Sequence, residues 1–312
     1  MPSQTVGQSV YVKNTFRWLL KSVALPPEVR LILTNRKAML GVAILLFFII
    51  VAIFPEQISG TARPEQFVAR AHLEPMTEYR GHTFILGTTR QGQDMFAQLV
   101  WGTRTTLFVG FAAGSIILAI AIVVGLSAGY WGGAIDELLS AIMNIFLVMP
   151  GLPLIIVMAT VLEQPGPYTV IFVLGFVNWA YGARVLRAQT LALRNSEFVT
   201  AARVAGEPGW RIIFFEILPN MIPLAISAWI GAVLFAILAE TGLNFVGVGD
   251  AASISWGTIL YWAQQNQALL VGAWWTFFPP GICIGLIAVA LTLINNAIDE
   301  ISDPRLRGGS QT

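Results

Sequence analysis

From Ala251 to Ile298 the chain runs for 48 residues without an Asp, Glu, Lys or Arg. Residues 105–135, 138–162, 164–183 and 217–239 share that property, and residues 38–54 (AMLGVAILLFFIIVAIF) are an unbroken apolar stretch. A helix crossing a hydrocarbon core of about 30 Å needs roughly 20 apolar residues. The runs therefore predict six spans, near 38–55, 106–129, 138–162, 167–185, 220–240 and 276–298. Their continuity favours helices over barrel strands, which alternate in short segments. The expected fold class is an all-α polytopic membrane protein with six transmembrane helices.

Composition agrees. Charged residues are 11% of the 312 and apolar ones 56%, too few charges to cover a soluble domain of this size. Eighteen basic residues face 17 acidic ones, so no excess charge marks a nucleic-acid binder. Cys283 is single and lies in an apolar run, so it forms neither an intrachain disulfide nor a metal cluster alone.

The basic residues orient the chain. Lys13, Arg17, Lys21, Arg30, Arg36 and Lys37 precede the first span, five arginines (Arg184, Arg187, Arg194, Arg203, Arg211) lie between spans four and five, and Arg305 and Arg307 end the chain. With six spans these thirteen share one face, which the positive-inside rule makes cytoplasmic. Both termini are expected inside. The organisation is a tail at 1–37, a first transmembrane helix at 38–55, an extracytoplasmic segment at 56–104, a five-helix core at 105–299 with a cytoplasmic loop at 194–220, and a tail at 300–312. The first span follows a basic tail of 37 residues without a small-residue cleavage site, so it is read as an uncleaved helix. In the tail, Phe16, Leu19 and Leu20 alternate with Lys13, Arg17 and Lys21. Two readings stand: a helix on the inner membrane surface and a solvated basic tail. Pro26 and Pro27 would break such a helix.

Chemistry is scarce. Only three lysines exist and none follows a glycine, whereas a P-loop ends in Gly-Lys-Ser/Thr to hold phosphates. ATP hydrolysis by this chain is not expected. Ion-coupled carriers place ionisable groups near mid-membrane; here Glu163 and Glu240, the acids nearest to that position, fall at or beyond span ends. His72 and His82 read as solvated loop residues with no HExxH or CxxC neighbourhood. No catalytic, metal or cofactor site is expected.

Residues 194–220 (RNSEFVTAARVAGEPGWRIIFFEILPN) read as helix, break, helix. Ser196 suits an N-cap with Glu197 in the first turn. Val199, Ala201, Ala202 and Ala205 make a slim helix, ended by Gly206, Pro208 and Gly209. A second helical stretch, Trp210 to Leu218, leads to Pro219 at the mouth of span five. An ordinary helical hairpin loop and a helix that inserts into a groove of another protein both fit.

This loop resembles the signature of the permease subunits of binding-protein-dependent ABC importers: paired alanines, a glycine four residues later, then Leu-Pro twelve and thirteen residues after it. Ala201, Ala202, Gly206, Leu218 and Pro219 stand at those positions, while Thr200 replaces the usual acid and Glu216 the usual aliphatic residue. Residues 82–107 (HTFILGTTRQGQDMFAQLVWGTRTTL) are similar to the segment before span two of the C-type permease of dipeptide and oligopeptide importers. They keep Gly92, Asp94, Gly102 and Arg104, but have Thr89 for an acid and Gln93 for an arginine. ETGLNFVGVG with SWGTIL, and the ending DEISDPRLRGG, extend the likeness to about residues 38–309.

The resemblance implies a type I ABC importer permease fold. It implies a loop (Glu197, Ala201, Ala202, Gly206, Leu218, Pro219) docking on an ATPase, and half of a translocation path for peptides or a similar small solute. It further implies a second six-span permease subunit, two ATP-binding subunits that carry ATP and Mg, an extracytoplasmic solute-binding protein, and residence in a bacterial or archaeal plasma (inner) membrane. An ion-coupled secondary carrier and a non-transporting scaffold are the alternatives; dependence on a separate ATPase discriminates them. Gly110, Gly114, Gly125 and Gly129, with Pro150, Gly151 and Pro153, permit close packing and kinking. Trp256, Trp262, Trp274 and Trp275 serve either cargo stacking or interfacial anchoring.

Overall fold

The computed structural model describes residues 35–161, 166–250 and 252–302. The tail before residue 35, Glu163 with most of the EQPGP turn, and the Asp-Pro-Arg-Leu ending lie outside the described residues.

Helix α1 (Arg36–Ile53) starts where the Asn35 side chain accepts the amides of Lys37 and Ala38, satisfying donors that no helical carbonyl reaches. A short α2 (Pro55–Ser59) ends at left-handed Gly60. The excursion that follows carries a two-stranded hairpin, β1 (Thr77–Tyr79) and β2 (His82–Phe84), paired antiparallel with Tyr79 opposite His82. Helix α3 (Met95–Trp131) has 37 residues, about 55 Å at 1.5 Å per residue. It therefore extends well beyond a hydrocarbon core, and its first turns carry the excursion.

The third span is not one helix. Met149 is extended before Pro150, as the clash of the proline ring with the preceding residue demands. The break leaves α4 (Gly133–Val148) and α5 (Gly151–Val161). The fourth span is also interrupted: α6 (Pro167–Val177) and α7 (Trp179–Leu193) meet at Asn178, whose φ is −105°. The two breaks are neighbours, since a Cβ on Gly151 would lie 3.9 Å from Asn178 Oδ1. Helix α4 packs on α7 and α5 on α6, so each half of the broken third span lies against one half of the fourth. After α8 (Glu197–Val204), an irregular helical stretch from Gly209 leads into helix α9 (Ile222–Phe245), followed by α10 (Trp256–Gln265) and α11 (Phe278–Ser302). Among the described residues five helices are long and apolar enough to cross a membrane, and the α4–α5 pair is the sixth, interrupted element.

Three apolar clusters hold these helices. One joins α1, α3, α9, α10 and α11 through Phe48, Leu107, Val233, Trp256 and Leu291. A second lies at the basic end, where Leu126, Met143, Leu186, Val199 and Ile213 meet. The third, at the opposite end, gathers Val109, Ile155, Leu174 and Ala236. The last two divide at the level of the helix breaks. Leu46, Phe47, Phe172, Phe176 and Ile282 remain exposed, a surface suited to hydrocarbon rather than water.

Glycines let α3 approach its neighbours closely. A Cβ on Gly114 would lie 2.9 Å from Val233 N of α9, and one on Gly125 2.5 Å from Ala183 O of α7. Of the alternatives for this row, close packing is the one the contacts show.

Candidate functional site

The loop between α7 and α9 is built on the second cluster. Val199 of α8 is fully buried, with Phe198 and Ala202 half-buried beside it against the same core. Val199 is thus the anchor of α8 and not part of a slim outer face. The outward row is Ala201, Val204 and Ala205, and Val204 is 85% exposed. Thr200 and Glu197 are exposed on the same short helix.

Ser196 occupies the N-cap position, yet its hydroxyl donates to Leu193 O at 2.7 Å and makes no capping bond. The other end closes fully. Gly206 adopts φ +82°, its N–H donates to Arg203 O at 3.1 Å, and Glu207 N–H donates to Ala202 O at 3.1 Å. That double closure needs a left-handed residue, which glycine supplies without strain.

The second stretch is not a regular helix. Ile212–Ile217 forms a π-helical turn, Leu218–Met221 a 3-10 turn, and α-geometry resumes at Ile222. Pro219 accounts for this, because it lacks an N–H and its ring would clash with the carbonyl four residues back. Widening the preceding turn lets Leu218 N–H donate to Ile213 O instead. The Asn220 side chain takes up Glu216 O at 2.7 Å. Ile212, Ile213 and Ile217 point into the cluster, Leu218 is half-buried against it, and Trp210 and Phe215 stay exposed.

Polar ties fix the loop to its base. Arg211 pairs with Glu207 at 2.9 Å, the Arg203 guanidinium lies 5.7 Å from the Tyr130 ring centroid, and Arg194 reaches Gly129 O at 3.4 Å. Gly209 packs on Tyr130 and Trp131, where a Cβ would come within 3.1 Å. The result is a ledge: an anchored short helix, a sharp stop and an apolar outer row. Sequence reasoning missed Val204; its place three residues after Ala201, on the same helical face, was the available signal.

At the opposite end, the motif residues are structural. Gly92 has φ +73° and a Cβ there would strike Ala69 O at 2.1 Å. Asp94 caps α3 by accepting Phe96 N–H at 2.9 Å. Thr89 and Gln93, the two departures from the family pattern, are partners: Thr89 Oγ1 donates to Gln93 Oε1 at 3.3 Å. A neutral pair thus occupies the positions where the pattern has an acid and a base.

Of the tryptophans at 256, 262, 274 and 275, Trp256 and Trp275 belong to the core, donating to Leu99 O and Thr88 O. Trp262 and Trp274 are exposed. His72 is not simply solvated: its Nδ1 is buried without a hydrogen-bond partner, and burial together with the nearby Arg90 holds its pKa below the usual imidazole value. Glu240 lies inside α9, not at its end, and is buried. Its carboxyl accepts Asn244 Nδ2 at 2.5 Å, and Asn244 also donates to Ser255 Oγ at 3.1 Å.

The chain is similar to known proteins. Residues 121–308 match the family described as binding-protein-dependent transport system inner membrane component. The dipeptide transport system permease protein DppC of Bacillus subtilis (strain 168) is 34% identical over 274 residues, covering 88% of this chain and 83% of that protein. The oligopeptide transport system permease protein OppC of the same organism is 31% identical over 276 residues, 88% of this chain and 87% of that protein. A solved structure of the MetNI methionine ABC transporter in inward-facing conformations aligns with a TM-score of 0.52 at 23% identity, over 66% of this chain and 95% of that one. That likeness shows the fold alone.

Proposed function

This chain belongs to the inner membrane components of binding-protein-dependent transport systems, and we propose that it forms half of a translocation path for peptides or a similar small solute. Such a component is a multi-pass membrane subunit of an ABC importer. In our reading a second six-span permease completes the path, two ATP-binding subunits dock beneath the 194–220 ledge, and an extracytoplasmic solute-binding protein delivers the cargo. The peptide assignment is supported by the names of the relatives. Both termini are assigned to the cytoplasm of a bacterial or archaeal cell, which the distribution of basic residues supports. ATP and Mg are assigned to the partner subunits, consistent with the lack of a Gly-Lys pair in this chain.

The observation that carries the docking assignment is the exposed row Ala201, Val204 and Ala205 on a helix whose other side is locked by Val199. An apolar row of this kind, held rigid at its base, transmits movement from a bound subunit with little lost to bending. Glu197 and Gly206 frame it, and Leu218 with Pro219 leads the movement into α9.

The test is uptake and ATP hydrolysis by the complete complex in proteoliposomes. Val204→Glu is expected to abolish solute-stimulated ATP hydrolysis and uptake while leaving the thermal stability of the isolated permease pair unchanged, because Val204 touches little of its own chain. Undiminished uptake with this variant would refute the docking assignment. Uptake by the permeases alone on an ion gradient would refute the importer mechanism.

A further inference from the structure

Beyond the membrane end of α3, a cavity of about 360 Å³ opens between the turn after α2 and the β1–β2 hairpin. Arg63, Tyr79, Arg80, His82 and Asp94 are in its lining. The Arg80 guanidinium lies 5.4 Å from the Tyr79 ring centroid and that of Arg70 5.9 Å. Neither Arg63 nor Arg80 makes an ion pair among the described residues. Asp94 is the single carboxylate in the lining, and it is already engaged. Its Oδ1 accepts Phe96 N–H at 2.9 Å and Ala97 N–H at 3.5 Å, and His82 Nε2 stands 3.8 Å from Oδ2. The cavity is therefore basic and its arginines unmatched.

The hairpin turn adds a second, independent observation. Arg80 has φ +53° and Gly81 φ +78°, the paired left-handed geometry for which Asn-Gly is preferred. A side chain with a Cβ is strained there unless it is Asn or Asp, and such strain collects where a residue has work to do. Arginine occupies the position and leans over Tyr79 toward the cavity.

We propose that this cavity seats an acidic side chain of the solute-binding protein as it docks on the outer face. The inference rests on the importer reading above and names the chemistry of one contact within it. A protein-borne carboxylate fits better than a free anion for two reasons. The arginines are exposed, so a lone anion would be held weakly in high dielectric. The rim also carries Phe67, 73% exposed, and Val68, 45% exposed, the mixture of apolar area and charge found where proteins meet. A volume of about 360 Å³ leaves room for an entire glutamate side chain with its stem.

Full complex in nanodiscs, titrated with the purified binding protein of the same system, tests this. Arg63→Gln combined with Arg80→Gln is expected to weaken binding about tenfold and flatten its dependence on salt, with basal ATP hydrolysis unchanged. Arg80→Gly is the second variant: it suits the left-handed turn better than arginine, so weaker binding there reflects the lost charge and not misfolding. Acetylated hexaglutamate should compete with the binding protein, and inorganic phosphate at the same ionic strength should not. Unaltered affinity and salt dependence in the assembled variants would overturn the proposal, as would phosphate competing as well as the peptide. A wild-type complex that fails to bind the protein at any salt would instead bring down the importer reading itself.

Discussion

Arg187 on α7 grips Asp136 in the first turn of α4 with both Nε and Nη2, at 2.5 and 2.6 Å. The side chains are 27% and 17% exposed, so water screens the pair only in part. A planar guanidinium matches a carboxylate in this two-pronged way and an ammonium does not. The pair sets the first half of the broken span against α7, directly beside the base of the 194–220 ledge. Asp136→Ala, which leaves a half-buried cation unmatched, is expected to cost about 2 kcal/mol. Arg187→Lys should lose most of that as well. Thermal unfolding of the purified complex checks this, and adding Arg187→Ala to Asp136→Ala should recover part of the loss.

The two alanines of the signature are not equivalent. Ala201 faces outward and Ala202 is half-buried against the cluster under α8. Ala201→Trp is expected to block uptake with no change in melting temperature. Ala202→Leu should lower both, since extra volume in a packed core typically costs about 1–3 kcal/mol. Equal melting temperatures for the two variants would contradict the placement of α8.

Gly206 has open space around it but a left-handed backbone. Any substitution penalty there is conformational, of order 1–2 kcal/mol for a residue with a Cβ. Gly206→Val should therefore loosen α8, visible as faster amide exchange at position 206 and at Glu207, whose N–H groups close the helix. Gly206→Asn should be much milder.

Helix contacts of α3 give an internal control. Gly125→Leu would drive a side chain into the Ala183 carbonyl, whereas a Cβ on Gly231 of α9 would meet nothing within 4 Å. The first change is expected to prevent assembly of the permease and the second, as Gly231→Ala, to leave it intact. Size-exclusion profiles of the two variants decide the matter.

Pro150 separates α4 from α5. Pro150→Ala combined with Pro153→Ala restores both missing donors; it removes the ring that keeps Met149 extended and the ring that would strike the Met149 carbonyl in a continuous helix, so the two helices should fuse. Slower amide exchange near Met149 is the direct readout. Because the break faces the one at Asn178, fusion is also expected to slow uptake by stiffening the junction between the two end clusters. Unchanged exchange near Met149 in the double variant would show that tertiary packing, and not the two prolines, holds the break open.

Much of the fold was legible because hydrocarbon allows few solutions. A charge-free run of membrane length is a helix in almost any context, so residues 38–54 and 276–298 announced α1 and α11. Hydropathy carries no information about continuity, however. It merged α4 with α5 and treated Trp210–Leu218 as regular helix, although Pro150 and Pro219 stood in view. Whether a proline kinks, breaks or widens a helix depends on what neighbouring helices supply to the freed carbonyls. For the 194–220 loop, spacing located Ala201, Ala202, Gly206, Leu218 and Pro219. It could not say which side of α8 faces the core, because apolar residues stand on both sides, with Phe198, Val199 and Ala202 on one and Ala201, Val204 and Ala205 on the other.

The sequence by itself determined a membrane protein of this family, the rough positions of its spans and the loop that carries the family signature. Those depend on composition and spacing, which the solvent reads directly. Only the tertiary structure decided that Val199 is buried while Val204 is exposed, that Trp256 and Trp275 are core, and that Glu240 lies within α9. It also placed Arg63, Tyr79 and Arg80 around one cavity. Each of those facts is set by contacts between residues distant in the chain, and no local pattern encodes such contacts.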